Sequence, residues 1–326
     1  MSCKDTTKKP NNKTFAERNA LFAEISLHFQ NYVIPLQTLK NMSDNSMNID
    51  QLIFRMQPIT LEEMSGVKLM NRTDTKFVTT VPVLEQLLAM AQDDYFVQDI
   101  DGVRNALYDT TYFDTADYAM YQAHQHGHAG RQKIRFRTYA NSGLQFMEIK
   151  TKNNRGRTKK KRIEVTDMNL ADSVKRDFIA EHLRYDVDTL VPHTHNYFKR
   201  ITLVNRAKTE RLTIDTSLLF TNVRTHYEKD MGQLVIVELK RDGLVYSPVL
   251  AMLRELRIHP HGFSKYCMGA ALTNEQLPVN RFKQKLREVD VITHHTLGIN
   301  LPAKTVREEY NDNTINNKLT DCLWIN

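Results

Sequence analysis

Lys133-Ile134-Arg135-Phe136-Arg137 sets three cations and two apolar side chains in strict alternation. Successive side chains on a β-strand point to opposite faces. Read as a strand, this stretch therefore has one fully cationic face, with Ile134 and Phe136 on the other. The pattern continues outward along the chain. Glu148, Lys150 and Lys152 share a face in Phe146–Lys152, and Lys160, Arg162 and Glu164 do so in Lys160–Val165. Arg211, Thr213 and Asp215 stand opposite Leu212 and Ile214, and Glu238 and Lys240 stand opposite Val237 and Leu239. Arg72, Asp74 and Lys76 repeat the pattern nearer the start. A single charged strand face is ordinarily the wet side of a sheet. Five or six of them can instead converge on a polar lumen, with the apolar faces turned outward under helices, and closure would remove the sheet edges. Alternation alone leaves both readings open.

The charge is concentrated in the same region. The chain carries a formal net charge of +7. Between Arg131 and Arg162 there are twelve Lys or Arg against one acid, Glu148, so the remainder is net acidic. A basic region of this kind recruits polyanions such as nucleotide phosphates, polyphosphate, nucleic acid or anionic lipid. A solvated charged surface is the competing reading.

At 326 residues the chain suits one large domain with appendages or two modest ones. With 41% hydrophobic and 25% charged residues it can form an ordinary core. No run approaches the roughly 18 apolar residues of a membrane helix, and the polar start, Met1 to Asp5, lacks the apolar centre of a secretory signal. Cys3, Cys267 and Cys322 are far apart and form no metal-type pair, which points to a reduced, cytoplasmic setting. Helices are expected over Phe15–Phe29, Val81–Gln92, Ala171–Tyr185 and Pro248–Ile258, with a linker at Asn41–Asn48. The domain plan is a polar extension over 1–58, partly helical or disordered, a main domain over 59–279, and a C-terminal helix with a loose tail over 280–326.

Some signals carry less. His124, His126 and His128 alternate beside Gly127 and Gly130, where a turn with surface imidazoles outweighs a zinc site. Cys267 lies in an apolar, helical stretch and reads as core. Tyr112, Phe113, Tyr118 and Tyr121 read as packing before base stacking. There is no Walker A loop, Rossmann fingerprint, His-Glu-x-x-His or kinase set.

Several segments, taken in chain order from about Leu61 to Leu277, resemble a known family. They are Asn71–Phe77, Tyr112–Thr115 with Tyr118 and Tyr121, Lys133–Arg137, Met147–Lys152, Thr158–Arg162, Tyr197–Arg200, Arg211–Thr216, Val235–Lys240 and Gly262–Tyr266. The set is similar to the catalytic domain of the vacuolar transporter chaperone (VTC) polyphosphate polymerases, within the CYTH-like triphosphate tunnel metalloenzymes. The resemblance implies an α+β fold built on an antiparallel eight-stranded β-barrel tunnel with a charged lumen flanked by helices. It also implies ATP and inorganic polyphosphate as substrates, with Mn2+ or Mg2+ as cofactor. Carried over by position, the catalytic cations fall on Lys76, Arg135, Arg137, Lys150, Arg211 and Lys265. Lys160 and Arg200 are carried over as substrate-binding residues and Glu238 as the metal-binding acid, and Arg72, Lys133, Lys152, Arg162, Lys240 and Ser264 are further substrate-binding candidates. At Lys160 and Arg200 the neighbours Lys159, Lys161 and Lys199 lie one register step away.

The residue types suit the chemistry. Arg offers paired planar donors and Lys a compact charge that can follow a shifting phosphate. Ser264 precedes an apolar run and is placed to cap a helix whose N–H groups would face phosphate. One departure matters. The hydrolytic tunnel enzymes begin with Glu-x-Glu-x-Lys, whereas this chain has Arg72-Thr73-Asp74-Thr75-Lys76. A cation in place of the first carboxylate weakens water activation and favours polymer synthesis, while Asp74 keeps hydrolysis in play. The alternatives are a triphosphatase or nucleotidyl cyclase on the same tunnel, or a non-catalytic module holding polyphosphate or RNA. Ile134 and Phe136 fall opposite the cations, which counts against an RNA groove. The sequence offers no membrane span, so attachment to the inner face of a membrane requires a separate membrane-protein partner, with residues 1–55 as the candidate link.

Overall fold

A computed structural model describes residues 47–65, 72–155, 157–243 and 245–299. The expected helix at 15–29 and most of the 41–48 linker lie outside them, as does the end of the tail. The first elements are α1 (Met47–Arg55), β1 (Gln57–Ile59), α2 (Leu61–Ser65), β2 (Arg72–Thr80), α3 (Val81–Met90), β3 (Tyr95–Gln98), β4 (Asn105–Thr115) and α4 (Ala119–Gln125). Next come β5 (Gln132–Tyr139), β6 (Gln145–Lys152), β7 (Thr158–Val165), α5 (Ser173–His182), β8 (Leu190–Asn205), β9 (Glu210–Asn222), β10 (Glu228–Asp230) and β11 (Leu234–Asp242). The last are α6 (Pro248–Glu255), α7 (Lys265–Thr273) and α8 (Lys283–Ile292).

Eight strands form one antiparallel path in the order β2-β11-β9-β8-β4-β5-β6-β7, with β1, β3 and β10 beside it. The strand count and the antiparallel pairing agree with the expected barrel. The hydrogen-bonded ring is not completed: among the described residues β2 and β7 are the two ends of the path and do not pair. The sequence of β7 accounts for this. Lys159, Lys160, Lys161 and Arg162 are consecutive, all exposed, and charged side chains of this kind keep a strand edge in water.

The alternation sorts the two faces as expected. On the apolar face, Phe77, Ile201, Leu203, Leu212, Ile214, Val235, Val237 and Leu239 pack under α1, α3 and α6 through Ile49, Ile53, Leu84, Leu87, Leu88 and Leu253. The apolar face of β5 and β6 (Ile134, Phe136, Met147, Ile149) packs against Ile179 and Leu183, at the end of α5. Burying such side chains contributes about 1.5–3 kcal/mol each before entropy is counted. Helix ends follow local chemistry. Pro82 sits in the first turn of α3, the Asp172 side chain caps α5 by accepting from the Lys175 N–H, and Ser264 caps α7 by accepting from the Cys267 N–H.

Helix α7 lies against the charged side of the sheet. Tyr266, Cys267, Met268 and Ala270 pack with Tyr112, Val78, Ile236, Phe198 and Phe220. At Gly269 an added Cβ would sit 2.5 Å from the Phe220 ring, so only glycine allows helix and strand to approach so closely. The buried Asp114 carboxylate fixes this arrangement. It accepts from the Met120 and Tyr121 N–H groups at the start of α4 and from the Tyr266 hydroxyl on α7. The Lys133 ammonium on β5 donates to Ser264 Oγ, and Lys265 pairs with Asp215 on β9. Strands from both halves of the sheet thus meet one helix start, and the sheet curls round it.

Candidate functional site

The curled face carries three buried or half-buried carboxylates, and each is straddled by two cations. Glu238 on β11 sits opposite Lys76 on β2 and receives the ammonium groups of Lys76 and Lys240, one on each oxygen. Glu148 on β6 faces Arg135 on β5. Arg135 Nε donates to it at 2.7 Å, its NH2 group also donates, and Lys160 on β7 reaches the other oxygen at 2.9 Å. Asp215 on β9 faces Arg200 on β8, which donates at 2.5 and 2.7 Å, and Asp215 also receives Lys265 from the start of α7. Partner-held carboxylates favour their charged form. Burial pushes all three carboxyls up, but the cations outweigh it and hold each well below the usual carboxylate range.

Other cations face the same space, and among the described residues Arg137 and Lys150 have no carboxylate within hydrogen-bond reach. Arg137 is 6% exposed, and its Nε donates to Thr110 Oγ1 at 3.2 Å. Burial, then Arg135 and Arg200, pushes its guanidinium down to about 10. Lys150 is held well below the usual lysine range by Arg135 first, then by burial and Arg137. Arg211 pairs in register with Lys240. Burial also pushes Lys240 and Lys265 down to about 8, although each touches a carboxylate. The face is therefore over-supplied with positive charge, which is what a polyanion requires.

Aromatic rings hold part of that excess. Tyr108 on β4 stacks on Phe198 on β8, with centroids 5.2 Å apart and planes at 22°. The Arg137 guanidinium lies 5.2 Å from the Tyr108 ring and 5.6 Å from Phe198, and Arg200 lies 4.9 and 5.1 Å from the same rings. The Lys265 ammonium lies 4.4 Å from Phe198.

The residues singled out from sequence divide by position. Lys76, Arg135, Arg137, Lys150, Lys160, Arg200, Arg211, Lys240 and Lys265 share the curled face, with Lys133 and Ser264 bonded at its α7 end at 2.7 Å. The register is settled at the two ambiguous positions. Lys160 faces Glu148 and Arg200 faces Asp215, whereas Lys159 and Lys161 point to the other side of β7. Three residues are peripheral. Arg162 lies on the exposed edge strand with its guanidinium 4.5 Å from the Phe146 ring, Lys152 closes the far end of β6, and Arg72 stands opposite Asp242 at the start of β2. Glu148 and Asp215 were visible in the alternation but had no role there. Their role emerges only when the neighbouring strand brings a second cation. Tyr108 left no sequence signal, because its ring matters through Phe198, which is distant in the chain.

Glu238 is also the expected metal ligand. The described residues contain no cluster of three or more metal-ligating side chains. One carboxylate among lysines suits a hard cation that takes its remaining ligands from phosphate oxygens and water, as Mg2+ does, rather than an ion held in a protein cage. His124 does not build a metal site. Its Nδ1 lies 2.9 Å from Cys267 Sγ, and burial first, then Lys133 and Arg131, pushes the imidazole down to about 2. His126 and His128 are exposed.

Residues 71–274 match the VTC domain family over more than half of the chain. The chain belongs to the VTC domain family. That membership makes the chain polyphosphate-related. Solved structures overlap it more loosely. An adenylate cyclase candidate from Vibrio parahaemolyticus is 13% identical, covering 62% of this chain and all of that one, with a TM-score of 0.36. An adenylyl cyclase candidate from Hippeastrum with a dominant triphosphatase activity is 16% identical, covering 64% and 99%, with a TM-score of 0.38. No curated protein matches the chain. Among the described residues no helix is long and apolar enough to cross a membrane.

Proposed function

We propose that this VTC-family protein is a polyphosphate polymerase that transfers the γ-phosphoryl group of ATP onto the end of an inorganic polyphosphate chain. The observation that carries this reading is the state of the three carboxylates on the curled face. Activating water requires a base whose pKa lies near the working pH. Glu148, Asp215 and Glu238 are each straddled by two cations and held far below that range. They are poor bases, but they are well suited to fixing cations. An acceptor phosphate needs no base, because its terminal oxygen is already anionic.

In the transfer, the bond from the γ-phosphorus to the β–γ bridging oxygen breaks. A bond from a terminal oxygen of the chain to that phosphorus forms, and ADP leaves with the charge on its new terminal oxygen. Such transfers depend mainly on positioning and charge stabilisation. Arg137, Lys150 and Arg211 hold the phosphates together with Arg135, Lys160, Arg200, Lys265, Lys76 and Lys240, which their carboxylates set in place. The start of α7 adds backbone N–H groups beside Ser264 and Lys265. Glu238 would hold a divalent ion, Mn2+ or Mg2+, which when bound neutralises charge on the triphosphate. Attachment to a membrane, in this reading, runs through a separate partner protein.

Incubating the purified protein with ATP and Mn2+ and resolving the products by size tests the proposal. Long polymer is the expected product. Free phosphate would assign a triphosphatase, cyclic nucleotide a cyclase, and unchanged ATP a binding module.

A further inference from the structure

The charged face holds its cations in two ways. A carboxylate fixes a cation and cancels its charge. A ring face fixes a cation and leaves the charge intact, since the attraction comes from the ring quadrupole. Around Tyr108 the second way prevails. Its ring and that of Phe198 stack, and both lie within 5.6 Å of the Arg137 and Arg200 guanidinium groups. Burial first, then the like charges of Arg135 and Arg200, pushes Arg137 down to about 10, so the two guanidiniums at the rings repel each other. Among the described residues Arg137 has a single side-chain bond, from Nε to Thr110, so its outer N–H groups are oriented by the rings and Thr110 together. The edge of Tyr139, 5.0 Å away at 62°, keeps the Tyr108 ring from turning.

We propose that Tyr108 is a positioning residue for phosphate recognition: with Phe198 it holds Arg137 beside the Asp215-held Arg200, against their mutual repulsion, so that Arg137 presents undiminished charge to a phosphate chain. This rests on the lumen reading of the charged face and adds a residue to it. The ring is what matters, and the hydroxyl is dispensable. Tyr108 touches no phosphate itself and acts through the two arginines.

The test measures binding of inorganic tripolyphosphate by calorimetry, alongside Tm. Tyr108→Phe should bind as the wild type does, whereas Tyr108→Leu should bind about tenfold more weakly. In an Arg137→Ala background the same Leu change should cost clearly less, because its main dependent is gone. Replacing Tyr108 by phenylalanine analogues of increasing ring fluorination keeps the shape while draining the ring face of negative potential. Affinity should fall stepwise along that series at constant Tm, which keeps the question open to test even if the Leu variant does not fold. Affinity indifferent to fluorination, or a Leu cost undiminished without Arg137, would overturn the positioning role and leave the lumen reading standing. A wild-type protein that does not bind tripolyphosphate would overturn both.

Discussion

The surroundings of Glu238 and those of Arg137, on the same charged face, use opposite strategies. In the first, Lys76 and Lys240 close on Glu238, and the three groups nearly satisfy one another. In the second, Arg137 is bonded to no carboxylate among the described residues and is steadied by Tyr108, Phe198 and Thr110. In the proposed polymerase, the first would exchange its internal partners for a metal–phosphate unit, and the second would offer its charge directly to a sliding chain.

The comparison can be broken most sharply at Glu238. Glu238→Gln keeps the shape and loses the charge. Polymer synthesis should fall about a hundredfold or more, with the metal requirement moved to higher concentration and nucleotide still bound. Synthesis measured against Mn2+ concentration decides it, since an active variant with an unshifted metal curve would remove Glu238 from the metal site. Next in size is Arg135→Ala. It strips Glu148, which is fully buried, of its closest partner, and breaking a buried pair from one side costs about 3–5 kcal/mol. Chemical denaturation should register that loss.

Arg137→Ala should behave differently. Tripolyphosphate affinity should drop about tenfold, as expected for a lost charge-assisted bond. Tm should hold or rise, because Arg135 and Arg200 lose a repelling neighbour. A fall in Tm like that of Arg135→Ala would erase the distinction between carboxylate-held and ring-held cations.

The smallest effect is with pH. Lys240 and Lys265 sit at about 8 in the fold, below the ordinary lysine value of 10.5. As pH rises past 8 they lose protons and tripolyphosphate should bind more weakly. The unfolded chain then holds more protons than the fold, so the contribution of these groups to stability rises between about 8 and 10. Affinity and Tm followed together from pH 7 to 9.5 should therefore diverge, and a parallel decline would contradict the assignment.

Much of the fold was legible because a charged strand face leaves a period of two in the sequence. Lys133–Arg137, Phe146–Lys152 and Val235–Lys240 all became strands with the expected faces. The helices at Val81, Ser173 and Pro248 formed but ended two or three residues early, where propensity is weak and packing decides. The incomplete ring was not legible, since pairing between first and last strands depends on curvature that no local pattern records. The cations of the site were readable one at a time. Their sorting into carboxylate-held and ring-held groups was not, because Glu148, Asp215 and Tyr108 act through residues on other strands.

Strand β2 has a consequence for how the chain comes off the ribosome. In the described structure its strand partner is β11, and Lys76 meets Glu238 across 162 positions of sequence. At roughly 5–20 residues per second of translation, β2 waits on the order of ten to thirty seconds for its hydrogen-bonding partner. During that time its backbone is an unpaired template. Arg72, Asp74 and Lys76 give the waiting segment charges that discourage pairing with a neighbouring nascent chain. The charges of one strand would then act first as gatekeepers during synthesis.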